Sequence, residues 1–138
     1  MAQNAAAPAT RYMIEVNLSR NDRFVSARFR GAVADTEFTD LAATIADLGP
    51  GSTALVYLDW TRVGHWTFAP APANGVTAWR TAAATIERVA IIHDHHLNRQ
   101  AAWLAAILRR EGVMVRSWQP RNAAAASVWL GSGGRQLH

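Results

Sequence analysis

Apolar and polar residues alternate along the first third of the chain with the two-residue period of half-buried β-strands. The alternation covers residues 12–18 and 25–29, and the polar segment 19–22 between them predicts a hairpin. Gly31 is predicted to close the second strand. Asp35 is then placed to cap a helix, because the apolar residues that follow recur three and four positions apart: Phe38, Leu41, Ile45 and Leu48.

Two short apolar runs later in the chain predict central strands that are covered on both faces. They span residues 54–58 and 89–92, and we expect a loop over 59–71 and a helix over 72–85 to connect them. Three further elements complete the prediction: a helix ended by Gly112, a strand and a closing helix, at residues 97–111, 113–116 and 122–130.

The order of these elements predicts a single α/β domain over residues 11–130. An antiparallel hairpin opens a sheet of about five strands that continues with parallel strands, and about four helices pack on the sheet. Residues 1–10 and 131–138 are expected to be disordered. A ligand crevice is expected at the carboxyl ends of the parallel strands, which fall at residues 59–68 and 93–97.

Composition narrows the class of protein. The 138 residues include no cysteine, which excludes disulfides, thiolate zinc sites and cysteine nucleophiles. All 14 Lys and Arg positions are Arg, so the sequence pI of about 11.0 overstates a net charge of +4, and without a basic run we expect no nucleic-acid partner. No apolar run reaches the roughly 18 residues of a membrane span, and residues 1–10 lack a signal-peptide pattern, so we expect a cytoplasmic protein without a transmembrane segment.

The last third of the chain resembles a known family. Residues 87–94 read Glu-Arg-Val-Ala-Ile-Ile-His-Asp, which is similar to the E-R-V-A-V-V-x-D strand of SpoIIAA-like proteins. Arg99, Trp103 and the strand at 113–116 follow at family-like spacing, and residues 125–130 resemble the closing A-x-x-W-L helix. The resemblance implies a STAS-type fold related to CRAL-TRIO lipid-binding domains, in a bacterial protein without enzymatic activity.

The chain departs from the sequence pattern of this family at two places and therefore resembles a divergent member. Leu58-Asp59 resembles the end of the family's third strand, but the Asp-Ser pair that anti-sigma factor antagonists use as a phosphoswitch is missing. Thr67-Phe68 stands near its place, and Leu97 stands where the SpoIIAA-like branch often has Trp. The resemblance therefore does not extend to a phosphoswitch.

An unusual density of aromatic residues follows the predicted third strand: Trp60, Trp66, Phe68 and Trp79. Since loops normally lack exposed side chains of this size, Trp60, Trp66 and Phe68 could form a lid over an apolar pocket or a patch for a partner, with Trp79 facing the sheet. The alternative is ordinary packing in the core. Arg62 in the same loop could bind an anionic head group or pair with Asp59.

His93, Asp94, His95 and His96 form the densest polar cluster. A metal site is disfavoured because alternate side chains of an extended segment point in opposite directions, and we expect neither metal nor cofactor. The cluster could instead form a polar rim that orients a ligand, with imidazoles that titrate near neutral pH. The alternative is a local structural role for Asp94 at the start of the next helix.

Three functional hypotheses follow from these patterns. The first is a non-enzymatic binding module that holds a small apolar or amphipathic ligand, such as a lipid, near the loop after the third strand. The second is a protein-interaction module, either a STAS-type regulator without a phosphoswitch or a homodimer. The third is an enzyme that uses the histidine cluster, for which the sequence assigns no second catalytic group.

Overall fold

The computed structural model describes residues 14–19, 23–49, 51–66 and 73–135. Within these ranges the chain forms five strands, namely β1 (Ile14–Ser19), β2 (Phe24–Val33), β3 (Ala54–Trp66), β4 (Ile86–Ile92) and β5 (Met114–Trp118). It also forms four α-helices, namely α1 (Asp35–Ala46), α2 (Ala73–Ala83), α3 (Asn98–Arg110) and α4 (Ala123–Arg135). The predicted order of elements is therefore confirmed.

The strands form one sheet in sequence order, β1-β2-β3-β4-β5. β1 pairs antiparallel with β2, and every later pair is parallel. Because each connection moves one strand in the same direction, right-handed crossovers place α1, α2 and α3 on one face of the sheet. The helix α4 packs on the opposite face, where Ala126 and Leu130 cluster with three sheet residues: Leu55, Ala90 and Ile92.

Arg88 fixes α4 to this second face. The Arg88 side chain is only 4% exposed, and its Nη1 donates to the main-chain oxygen of Trp129 at 2.9 Å and to Ser132 Oγ at 3.2 Å. Its guanidinium also lies 4.8 Å from the centroid of the Trp129 ring, while Arg116 covers the same ring from 5.8 Å. These contacts are cation–π interactions that add to the hydrogen bonds.

The strand β3 is eight residues longer than predicted, and the predicted loop 59–71 is strand as far as Trp66. Two irregularities of register explain the difference. Between the pairs Arg28↔Asp59 and Arg30↔Arg62, and again between Gly31↔Val63 and Ala32↔His65, β3 contains one residue more than β2. Bulges of this kind break the two-residue alternation by which strands are predicted.

Other boundaries also differ from the prediction. Gly31 does not close β2 but lies inside it with φ of 68°, at the second irregularity. Asp35 is the first residue of α1, and its predicted capping place belongs to Ala34, whose N–H donates to Glu37 Oε1. The helix α4 continues to Arg135, so residues 131–135 are helical where a disordered tail was predicted. Residues 1–10 and 136–138 lie outside the described ranges.

Candidate functional site

Three tryptophans of the predicted aromatic group are core residues. Trp60, Trp66 and Trp79 are 0%, 5% and 0% exposed. Their rings surround Phe38, with centroid distances of 6.1, 4.9 and 4.7 Å. For these three residues the structure contradicts an exposed patch and agrees with ordinary core packing, while Phe68 lies outside the described residues.

Polar atoms of this aromatic cluster are only partly satisfied. Trp66 Nε1 donates to Asp35 Oδ1 at 3.2 Å, and Gln100 Nε2 donates to the main-chain oxygen of Trp66 at 3.3 Å. Within the described ranges, the buried Nε1 atoms of Trp60 and Trp79 and the Oε1 atom of Gln100 make no hydrogen bond. Each such atom costs roughly 1–3 kcal/mol, so the tight aromatic packing around Phe38 must offset it.

Arg62 is exposed on β3 and is not part of a loop. Its direct neighbour on β2 is Arg30, so two cations lie side by side. Asp59 Oδ1 instead accepts hydrogen bonds from the main-chain N–H of Thr61 at 3.0 Å and from Thr61 Oγ1 at 2.7 Å. The predicted pairing of Arg62 with Asp59 is therefore absent from the described contacts.

The histidines after β4 point to different partners. His93 Nδ1 lies 2.8 Å from the main-chain oxygen of Asp94, and the His93 side chain is almost buried. His95 Nε2 lies 3.2 Å from Gln119 Nε2, and His96 Nε2 lies 3.2 Å from the main-chain oxygen of Val63. Among the described residues no three side chains of His, Asp or Glu are grouped around a point where a metal ion could bind.

Asp94 stands at the N-cap position of a short 3₁₀ turn, His95–Leu97, that precedes α3. Its main-chain oxygen accepts a hydrogen bond from Leu97 N at 3.1 Å, but its carboxylate makes no cap hydrogen bond. The side chain is exposed. The predicted structural role at the helix start is therefore carried by the backbone of Asp94, and the carboxylate remains available.

Asp94 and His95 line a crevice of about 270 Å³ with three residues that follow β5: Gln119, Pro120 and Arg121. The residues after β5 form a second 3₁₀ turn, Pro120–Asn122, which leads into α4. The crevice thus combines one carboxylate, one guanidinium, one imidazole and one amide. Such a lining can both donate and accept hydrogen bonds and can bind either sign of charge.

The position of the crevice follows from the topology. β4 and β5 are neighbouring parallel strands, and the crevice lies where both reach their carboxyl ends. The connection after β4 leads to α3 on one face of the sheet, and the connection after β5 leads to α4 on the other. Divergence of this kind opens the space where open α/β sheets bind ligands.

The comparisons with known proteins agree with this architecture. No protein-family model and no curated protein matches the sequence. The fold is similar to that of a solved structure, an uncharacterised protein of the DUF3478 family with a SpoIIAA-like fold from Shewanella loihica PV-4, with a TM-score of 0.55 at 17% identity. The match covers 85% of this chain and 91% of the other. The chain has a SpoIIAA-like fold.

The SpoIIAA-like fold confirms the resemblance and the fold class that were predicted from the sequence. No helix among the residues placed in this fold is long and apolar enough to cross a membrane. The sequence prediction located one wall of the crevice, Asp94 and His95, but missed Gln119, Pro120 and Arg121. These three residues could have been predicted from their position, because ligands bind at the carboxyl ends of parallel strands and β5 is such a strand, as β4 is.

Proposed function

We propose that the protein is a non-enzymatic binding module that holds a small polar anion in the crevice between β4 and β5. The observation that carries the proposal is the carboxylate of Asp94. It occupies an N-cap position without capping, is exposed, and lines a crevice whose opposite wall provides Arg121. A side chain that is released from its usual local bond in this way is free to orient a ligand.

The lining residues favour a particular ligand chemistry. The guanidinium of Arg121 suits a phosphate or carboxylate group. Asp94 requires a donor on the same ligand, such as a hydroxyl or an ammonium group. A volume of about 270 Å³ matches a small metabolite, because pockets for drug-sized ligands begin at roughly 300 Å³.

This ligand class replaces the apolar or lipid ligand expected from the aromatic residues. Trp60, Trp66 and Trp79 pack against Phe38, whereas the crevice has polar walls. The absence of catalysis is part of the proposal, since no Ser, Thr or Lys nucleophile is among the five residues that line the crevice. His95 Nε2 lies beside the Gln119 amide and not beside a hydroxyl.

Thermal unfolding with a ligand panel tests the proposal. The panel contains inorganic phosphate, small sugar phosphates, dicarboxylates and, as the lipid arm, a fatty acid. A ligand present at one hundred times its Kd adds about 2.7 kcal/mol to the free energy of unfolding, which raises the Tm by several degrees. Asp94→Asn and Arg121→Gln should abolish the rise, and the matched control Arg62→Gln, at an exposed arginine outside the crevice, should retain it. A rise caused by the fatty acid alone, or one unchanged in both crevice variants, would contradict the proposal.

A further inference from the structure

The outer surface of the helical layer carries opposite charges on its two flanks. α1 and its C-cap residue contain four acidic residues and no basic one, and two of the acids, Asp40 and Asp47, are exposed. α3 and its C-cap residue contain three arginines and one acid, Glu111, and Arg99 and Arg110 are likewise exposed. α2 lies between the flanks, because sequential right-handed crossovers place the three helices in chain order.

Two of these charges are unfavourable within their own helix. Asp47 is at the C-terminus of α1, where the helix dipole disfavours an anion, and Arg99 is in the first turn of α3, where it disfavours a cation. Neither residue has an ion pair among the described contacts. Stability of the single chain therefore does not explain their signs, whereas an intermolecular partner of opposite charge does.

A groove lined by both apolar and charged residues lies between α2 and α3. Its volume is about 430 Å³, and its apolar lining includes the half-buried side chains of Val76, Trp103 and Ile107. Arg80 and Glu111 join across one part of it in an ion pair of 3.4 Å. Partly exposed Trp residues and arginines are both enriched in protein interfaces.

We propose that a second copy of this chain docks on the layer, with α1 of each copy on α3 of the other. A two-fold axis that runs parallel to α2 produces this pairing, because it exchanges the two flanks and keeps every helix direction. A two-fold axis across the helices would place acidic α1 on acidic α1. The favoured arrangement is a closed, self-complementary dimer, which is the commonest oligomer of soluble proteins.

The positions of the charges along their helices agree with this two-fold axis. Asp47 and Arg110 each stand twelve positions after the first residue of their helix, about 18 Å along it. Both helices follow parallel strands and start beyond their carboxyl ends, so the axis places the C-terminal end of α1, with Asp47, over the C-terminal half of α3, with Arg110. Three helices of this length side by side have a projected area on the order of 500 Å². Because side chains protrude from this face, its solvent-accessible area is larger and approaches the roughly 800 Å² that each partner buries in a stable interface.

Charge reversal tests the dimer by sedimentation velocity over a concentration series at low and high salt. Asp40→Arg with Asp47→Arg reverses the two exposed acidic charges of the α1 flank, and Arg99→Asp with Arg110→Asp reverses two exposed basic charges of the α3 flank. Each double variant should raise the dimer Kd by about tenfold or more, and salt should weaken the wild-type dimer. An equimolar mixture of the two variants should restore association, because each acidic flank then faces a basic one.

The mixture distinguishes lost complementarity from lost folding, and circular dichroism of each variant checks the fold directly. The matched control, Arg30→Asp with Arg62→Asp, reverses two exposed charges on the sheet and should leave the wild-type Kd unchanged. Three results would each overturn the proposal: a wild-type chain that stays monomeric at low salt over the whole series, a dimer indifferent to both reversals, or a mixture that does not associate.

Discussion

Arg88 on β4 donates to the main-chain oxygen of Trp129 at 2.9 Å, and the same guanidinium lies 4.8 Å from the centroid of the Trp129 ring. One side chain thus holds both the backbone and the ring of α4. The Arg88 side chain is almost fully buried, so removal of its donors would leave the Trp129 carbonyl without this bond in a poorly hydrated place. This contact adds to the packing of Ala126 and Leu130 in attaching α4, which follows the crevice wall after β5.

Arg88→Met should lower the free energy of unfolding by about 2–4 kcal/mol, because it removes charge-assisted hydrogen bonds and a cation–π contact. Arg88→Lys keeps the charge but loses the planar fork, so its loss should be intermediate. Arg116→Met, at an exposed arginine on the same ring, is the control and should cost less than about 1 kcal/mol. Urea unfolding measures the free energy of unfolding of all three variants. Equal losses for Arg88→Met and Arg116→Met would contradict the role of Arg88 in holding α4.

Trp60→Ala should lower the free energy of unfolding by about 3–5 kcal/mol, since it opens a cavity among Phe29, Phe38 and Trp66. Trp118→Ala is the matched control, because Trp118 is half-buried on the other face and its loss opens no enclosed cavity. It should cost less than half as much. If Trp60→Ala left stability unchanged, the residue would not be part of the core, and the lid hypothesis would return.

Replacement by alanine should change the free energy of unfolding in opposite directions at two glycines. Gly112 follows α3 with φ of 91°, a conformation that disfavours a β-carbon, so Gly112→Ala should cost about 1 kcal/mol or more. Gly131 lies inside α4, and nothing lies within 4 Å of an added Cβ, so Gly131→Ala should add about 0.5–1 kcal/mol. Differential scanning calorimetry should show Tm values on either side of the wild type. A loss for Gly131→Ala would contradict the extension of α4 past residue 130.

Tyr57 should make stability fall at alkaline pH. Burial raises the pKa of Tyr57 above the ordinary value of 10.0, and the Asp59 carboxylate raises it further. Between about pH 10 and the higher pKa of the folded state, the unfolded chain has lost this proton and the folded chain keeps it, so the free energy of unfolding falls as pH rises. Below about pH 10 the contribution is present in full.

Tyr57→Phe removes that contribution, so the gap between wild type and variant should change only above about pH 10. Urea unfolding at a series of pH values measures the gap. Ultraviolet titration of the phenolate gives a second readout, in which the variant lacks the high-pKa component and Tyr12 remains in both proteins as the internal reference. A wild-type titration without a high-pKa component would refute the assignment.

Periodicity predicts the regular part of this fold well. The spacing of Phe38, Leu41 and Ile45 places all three in the core, and all three are buried in α1. The same reasoning fails for β3, because two bulges place Trp60, Val63 and Trp66 on one face at intervals of three residues. Apolar residues that recur every three positions among polar ones do not show the alternation of a strand. The segment that contains these aromatic core residues is therefore predicted to be a loop.

The candidate site also has a part that the sequence predicts and a part that it does not. Asp94 and His95 are predictable because they follow an apolar run that is clearly a central strand. The place of Arg121 shortly after β5 follows from the same rule, but its approach to Asp94 depends on the side-by-side pairing of β4 and β5 and on the opposite directions of α3 and α4. That juxtaposition is tertiary, and one-dimensional spacing does not encode it.

A two-dimensional NMR titration of the backbone amides with inorganic phosphate locates a bound anion on the chain, whatever the natural ligand is. If the crevice between β4 and β5 binds the anion, the largest chemical-shift changes fall on residues 94–98 and 119–124, saturate with one Kd, and vanish in Arg121→Gln. Shift changes that are absent from both segments, or that concentrate around Arg30 and Arg62, would contradict a binding site between β4 and β5.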